Sequence, residues 1–246
     1  MIVIGCDPEF VLTRNNHFVP AHELFSSNLE SALGCDGASD TGEIRPGCSG
    51  NVFDLTGRIM ETLSCIDEAD SEVRVLAGHF KFNRPIGGHI HFSFPKKVEK
   101  KDMFELAGCL DSFLIDCLSD LIDDVWEREA RQNFGYGLKA KRSKCAVRIN
   151  SDTHFEYRAP GSWLLCPKVA LTNLAIAKTV VHQKVFSSLR RKHAAPQNEQ
   201  EKRENLMNLL SRKEKIPKDC WNASEIVEEV INSRLDWSRD IKEAWL

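Results

Sequence analysis

The chain has no long apolar run, no basic leader, no excess of positive charge and no paired-cysteine motif, and each absence removes a class of function. No hydrophobic stretch in the 246 residues reaches the roughly 20 residues that a bilayer-spanning helix needs. The opening Met1-Ile2-Val3-Ile4-Gly5-Cys6-Asp7 holds no basic side chain and meets an acid at position 7, which is not the pattern of a secretory signal. Thirty-three basic against thirty-six acidic residues leave a formal net charge of -3. No overall positive field is available to gather a phosphate backbone, so no nucleic-acid partner is expected, nor a membrane. The nine cysteines include no Cys-x-x-Cys pair. Their odd number suits reduced thiols used for packing in a cytoplasmic protein better than a disulfide framework. Internal repeats are also missing. Small charged molecules and peptides remain open as substrates.

Short β-like runs with glycine-rich turns fill the first half, and the second half is mostly helical, which predicts an α+β class. Strands are expected near 2–4, 10–13, 43–45, 75–82, 89–94, 145–149 and 154–158. A helix is expected over 54–69. Another should start at Asp102, with Glu105 completing a capping box, and carry the stripe Leu110, Phe113, Cys117, Leu121, Val125. A third follows Pro167, placing Leu174, Ala177, Val181, Val185 and Leu189 on one side and ending in Arg190-Arg191-Lys192-His193, a cluster suited to a helix carboxyl end. The stretch around Pro196 reads as a linker into a polar helix over 201–213, and Asn222 with Glu225 caps a last helix through Ile226 and Val230. The expected organisation is a unit over 1–193 and a helical extension over 194–246 packed on it.

Against this background, metal-competent side chains recur two residues apart: Asp7-Pro8-Glu9, His89-Ile90-His91 and His154-Phe155-Glu156-Tyr157-Arg158. Residues i and i+2 of a strand share a face, so each stretch aims its polar groups at one surface. Such groups are costly to bury unless they serve one another, a metal or a substrate. Glu43, from Gly42-Glu43-Ile44-Arg45-Pro46, joins the acids as a candidate cation ligand. Arg45 beside it implies an anionic substrate or an ion pair with one of those acids. Asp36 is either a further ligand or a turn former. The run Lys139-Ala140-Lys141-Arg142-Ser143-Lys144, followed by Arg148, reads either as a solvated loop or as a cradle for phosphate.

In their order along the chain, Asp-Pro-Glu-Phe, Gly-Glu-Ile-Arg-Pro, Gly-Gly-His-Ile-His-Phe, Arg-Ser-x-x-Ala-Val-Arg-Ile and Phe-Glu-Tyr-Arg-Ala-Pro resemble the glutamine synthetase and glutamate-cysteine ligase superfamily, and within it the phage-type carboxylate-amine ligases. The likeness covers Asp7 to Trp163. It implies a curved, mainly antiparallel sheet forming a catalytic funnel with helices on its outer side, and a ligase that uses ATP and magnesium or manganese to join a carboxylate to an amine through an acyl phosphate. It further implies that Glu9 and Glu43 hold one ion and Asp7, His89 and Glu156 another, with Asp36 as an extra ligand. His91 and Arg158 would contact nucleotide phosphates, Arg142 and Arg148 would neutralise the transferred phosphoryl group or the acid, and Arg45 and Arg84 are secondary candidates. The chain departs from glutamine synthetases at Asp7, where they carry Glu, and at His154, where they carry Arg.

Two other classes compete: a single-metal hydrolase or oxygenase built on His89, His91 and Glu156, and a non-catalytic binding protein that keeps the ligase scaffold. Nucleotide binding separates the first from a ligase. Phosphate release on adding acid and amine pairs separates the second.

Overall fold

One strand organises the sheet. In the computed structural model, which describes residues 1–28, 30–36, 40–136, 146–187 and 195–246, β1 (Val3–Arg14) runs unbroken where two separate strands were expected. It pairs antiparallel with β2 (His17–Val19), β4 (Gly42–Ile44), β5 (Cys48–Ser49), β6 (Arg74–Leu76) and β9 (Gly88–Ser93). Pro8 lies in its middle although proline cannot donate to a ladder. Glu9 donates its amide towards β9, to the Gly87 carbonyl at 2.8 Å, so the nitrogen of Pro8 faces the other side. There β5 pairs only with Ile4 and Gly5 and β4 only with Glu9 and Phe10, leaving a gap at Pro8.

The sheet extends on one side through β9 to β11 (His154–Tyr157) and β10 (Val147–Ser151), and on the other through β4 to β3 (Leu33–Cys35). A separate hairpin, β7 (Phe80–Lys81) with β8 (Arg84–Pro85), stands where one strand over 75–82 was expected; Gly78, at φ +125, breaks the run after β6. Every strand pairing among the described residues is antiparallel.

Helices cover the apolar face. The first, α1 (Val52–Ala69), is capped by Asn51, whose side chain accepts from Phe53 N, and buries Leu55, Ile59, Leu63 and Ile66 at helical spacing. The next, α2 (Lys100–Leu110), begins two residues before Asp102. Asp102 therefore falls in the first turn and forms no capping box. The run continues through π-helical turns over Asp111–Ser119 and α3 (Asp120–Ile122), then stops where Asp123 turns extended. The wider turns and this break carry Val125 off the expected stripe: it opens α4 (Val125–Asn133), capped by Asp124, and is 55% exposed.

The long α5 (Pro167–Ser187) buries Leu174, Ala177 and Val181, whereas Val185 is exposed. Leu189 and the basic cluster over 190–193 lie outside the described residues. Asn198 caps α6 (Glu199–Leu210), so this helix starts and ends earlier than the expected 201–213. Asn222 precedes α7 (Ala223–Asn232) without a side-chain capping bond, and α7 is followed by a further short helix, α8 (Lys242–Trp245).

Leu206, Leu209, Val227, Val230 and Trp245 share one apolar cluster with the residues beneath the sheet. Ile241 N donates to the Val75 carbonyl at 2.9 Å and Asp240 accepts from Val75 N at 3.0 Å, so the carboxyl-terminal segment satisfies β6 along its edge. Among the described residues no helix is long and apolar enough to cross a membrane.

Candidate active site

Strand register brings the charged residues together. Asp7 lies opposite His89 and Gly5 opposite His91 across β1 and β9; His91 lies opposite Glu156 across β9 and β11. On the flanks, Glu9 faces Glu43 and Arg148 faces Glu156. With a period of two, all these side chains emerge on one face, and Ile4, Cys6, Phe10, Ile90, Phe92 and Phe155 emerge on the other. The paired glycines before His89 permit a close approach: a Cβ on Gly88 would collide with the Gly161 carbonyl oxygen and with Trp163.

His89 sits at the centre. Its Nδ1 is 3.5 Å from both Asp7 Oδ1 and Glu156 Oε1, and its Nε2 is 3.7 Å from Glu9 Oε1. Two sets of three donors have ligand atoms within 4.8 Å of one another: Asp7 with Glu43 and His89, and Asp7 with His91 and Glu156. Asp7 belongs to both. The expected division was Glu9 with Glu43 and Asp7 with His89 and Glu156, whereas here Glu43 stands with Asp7 and His89, and His91 takes the place of His89 beside Glu156. Glu9 is in neither, and its Oε2 accepts from Gly87 N at 2.7 Å. His91, expected to face phosphate, makes a 2.7 Å contact through Nε2 with Asp7 Oδ1 and a 3.2 Å contact through Nδ1 with His154, which in turn reaches Ser93 Oγ at 3.0 Å.

The electrostatics match a site built for positive charge. Glu9 and Glu156 are buried, at 6% and 1% exposure. Burial raises the Glu9 carboxyl above its usual range, and burial together with the nearby Asp7 charge pushes Glu43 up to about 8. Burial acts the same way on Asp7, but hydrogen bonds from His89 and His91 outweigh it and hold Asp7 well below the usual carboxylate range. Burial would lower His91, yet its bond to Asp7 raises it; His154 is lowered by burial and by the neighbouring His91.

Neither Glu156 oxygen makes a regular hydrogen bond, although Arg148 Nη1 and Arg158 Nε each stand 3.0 Å away. Crowded, buried carboxylates with two imidazoles and spare acceptor capacity fit a divalent cation.

A cleft of about 350 Å³ adjoins the carboxylates, with Glu9, His89, Asp36, Arg84, Arg131 and Arg158 in its wall. Asp36 is thus part of this wall and of neither three-donor set. Arg45 resolves as an ion pair with Glu43 and donates to the Cys35 carbonyl at 2.8 Å. Arg84 pairs with Asp40. Arg142 lies outside the described residues.

Sequence reasoning missed Arg131. It is 3% exposed, donates to the Ala159 carbonyl at 2.7 Å and the Arg158 carbonyl at 3.3 Å, and leaves its Nε without a partner. Burial lowers its pKa to about 10. A lone arginine on an amphipathic helix belongs to no motif, so only its hydrogen bonds to the two residues after β11 reveal it.

The sheet, the acid-rich face and the arginine-lined cleft define the class by its architecture: a glutamine synthetase-like fold. The chain belongs to the phage phiEco32-like COOH.NH2 ligase-type 2 family, whose model matches residues 4–245, and it is therefore a carboxylate-amine ligase that forms C–N bonds. A comparison with curated proteins found no match.

Similar solved structures include a novel glutamine synthase homolog (12% identity, TM-score 0.55, covering 99% of this chain and 70% of that one). The ligase PafA, in its complex with the prokaryotic ubiquitin-like protein Pup, has 9% identity and TM-score 0.62, with 98% and 64% covered. The glutamate-cysteine ligase of Francisella tularensis in complex with AMP has 10% identity and TM-score 0.51, with 98% and 83% covered. At these identities the likeness is one of fold.

Proposed function

We propose that this ligase consumes ATP and joins a carboxylate to an amine through an acyl phosphate. A substrate carboxylate oxygen attacks the γ-phosphorus, the bond to ADP breaks, and the amine nitrogen then attacks the acyl carbon and releases phosphate, giving an amide or isopeptide bond. The observation that carries this reading is the convergence of Asp7, Glu43, His89, His91 and Glu156 on one sheet face beside an arginine-lined cleft, in a member of a carboxylate-amine ligase family.

Asp7, Glu43, His89 and Glu156 would hold magnesium or manganese, with Glu9 and Asp36 reaching the site from the cleft wall. A bound cation would supply neutralising charge for phosphoryl oxygens. Arg148 and Arg158, both on Glu156, present guanidinium groups to the anionic substrates, and the backbone contacts of Arg131 fix the strand end that carries Arg158. We place the activity in the cytoplasm, where ATP is available.

The test is a phosphate-release screen of amino acids and short peptides, in acid and amine pairs, with ATP and magnesium. Glu43→Ala and Glu156→Ala should each lower turnover at least about 100-fold. Variants that match the parent protein would refute the assignment.

A further inference from the structure

The mouth of the cleft carries an aromatic rim that the phosphoryl chemistry leaves unused. Phe134 and Tyr136 line the cleft and are 57% and 40% exposed. Phe134 packs on Phe80, with ring centroids 5.5 Å apart. On the same hairpin Phe82 is 40% exposed and meets Phe18 at 6.0 Å. The Arg84 guanidinium lies 3.8 Å from the Phe18 ring centroid, which returns the series of contacts to the cleft wall. Contiguous exposed apolar surface of this kind marks a binding surface more often than chance.

The hairpin turn points the same way. Among the described residues, two tight turns place both central residues at positive φ. Between β1 and β2 these are Asn15 and Asn16, at 51° and 62°; between β7 and β8 they are Phe82 and Asn83, at 49° and 60°. Asparagine tolerates this conformation, whereas a bulky side chain there is strained. The first turn uses the residue the geometry favours. In the second, phenylalanine holds the strained position beside the cleft, and strain of this kind gathers where a side chain serves binding.

We propose that the acid or amine substrate is a residue of an extended polypeptide. Its reacting group enters the cleft and its flanking apolar side chains lie across Phe82, Phe134 and Tyr136. The inference rests on the ligase reading above and adds the substrate class. A free amino acid fits within the cleft and has no use for Phe82, which stands on the hairpin beyond the wall. A nucleic-acid strand would also stack on aromatic rings, but a chain of net charge -3 has no overall field to gather a polyanion. A peptide backbone is neutral and needs no such field.

Fluorescein-labelled octapeptides with one central glutamate or lysine, flanked by leucines or by serines, test this by anisotropy, with free glutamate and lysine as competitors. Leucine-flanked peptides should bind about tenfold more tightly than serine-flanked ones and than the free amino acids. Phe82→Asn gives the second turn the sequence of the first. It should raise the melting temperature and weaken leucine-flanked binding several-fold, while calorimetric ATP affinity stays unchanged. Phe134→Ser, away from the turn, should weaken the same peptides and provides the test if Phe82→Asn misfolds. Equal binding of peptides and free amino acids, no binding of any peptide, or a stabilised Phe82→Asn with intact peptide affinity would overturn the proposal. Failure of the parent protein to bind ATP would strike the ligase mechanism and leave the peptide result standing.

Discussion

The two faces of the sheet come from the same strands and could hardly differ more. Along β1, β9 and β11, Ile4 meets Phe92, Cys6 meets Ile90 and Phe92 meets Phe155, while the residues between them set Asp7 against His89 and His91 against Glu156. The apolar face rests on α1 and α5 in one continuous core. The charged face buries Glu9, Glu43, His89 and Glu156, groups that would be better solvated in water. The lesson is a division of labour at single-residue spacing: burial on one face supplies the stability that lets the other hold carboxylates in a geometry they would not choose unaided.

The comparison breaks first at Phe92, which is fully buried and stacks on Phe155 with centroids 5.2 Å apart. Phe92→Ala should cost about 3–5 kcal/mol in denaturant unfolding, from lost transfer energy and the cavity left behind. A loss well under about 1 kcal/mol would mean that this face does not bear the load assigned to it.

A smaller effect is expected at Tyr157, a polar tip within the apolar face. Its hydroxyl donates to Asp111 Oδ1 at 2.7 Å, and burial raises its pKa well above the ordinary value. Tyr157→Phe keeps the ring and removes the donor to a buried carboxylate, and should cost about 2 kcal/mol. An unchanged unfolding midpoint would show that Asp111 is satisfied without it.

How much of this was legible in the sequence follows from the same period of two. Asp7 with Glu9, His89 with His91 and His154 with Glu156 announce a polar face because alternation is local, and their register is then set by the hydrophobic residues between them. Glu43 was joined to them from a fourth stretch as one more acid on a short strand, and the family resemblance then gave it a partner in Glu9. Which acids share a donor set was not legible, because it depends on cross-strand register: Asp7 lies opposite His89, and His91 opposite Glu156. Arg131 left no trace, since an arginine on an amphipathic helix reads as solvated until the helix is packed. The continuous β1 was hidden by Pro8, which cannot donate to a ladder and in fact faces a gap in pairing. On the helical side, the stripe was read correctly as far as Cys117 and lost at Val125, because sequence periodicity does not register π-helical turns.

The smallest effect sharpens the contrast from the charged side. Glu43 has its carboxyl pushed from the ordinary 4.5 up to about 8 by burial and by Asp7, against the opposing charge of Arg45. Because the folded chain keeps a proton there that the unfolded chain releases, metal-free stability should fall as pH rises between 4.5 and about 8. Asp7, whose pKa is depressed, does the opposite: its contribution is lost as pH falls below its ordinary value of 3.8, outside that window. Glu43→Gln removes the titrating group while Glu9 still titrates, so the difference between the two stability profiles isolates Glu43. The variant should match the parent near pH 4 and gain on it steadily as pH rises towards 8. Magnesium or manganese should close the gap by stabilising the parent alone. Parallel profiles in thermal unfolding with a chelator present would mean that the charged face is no burden to the fold, and the division of labour between the two faces would have to be given up.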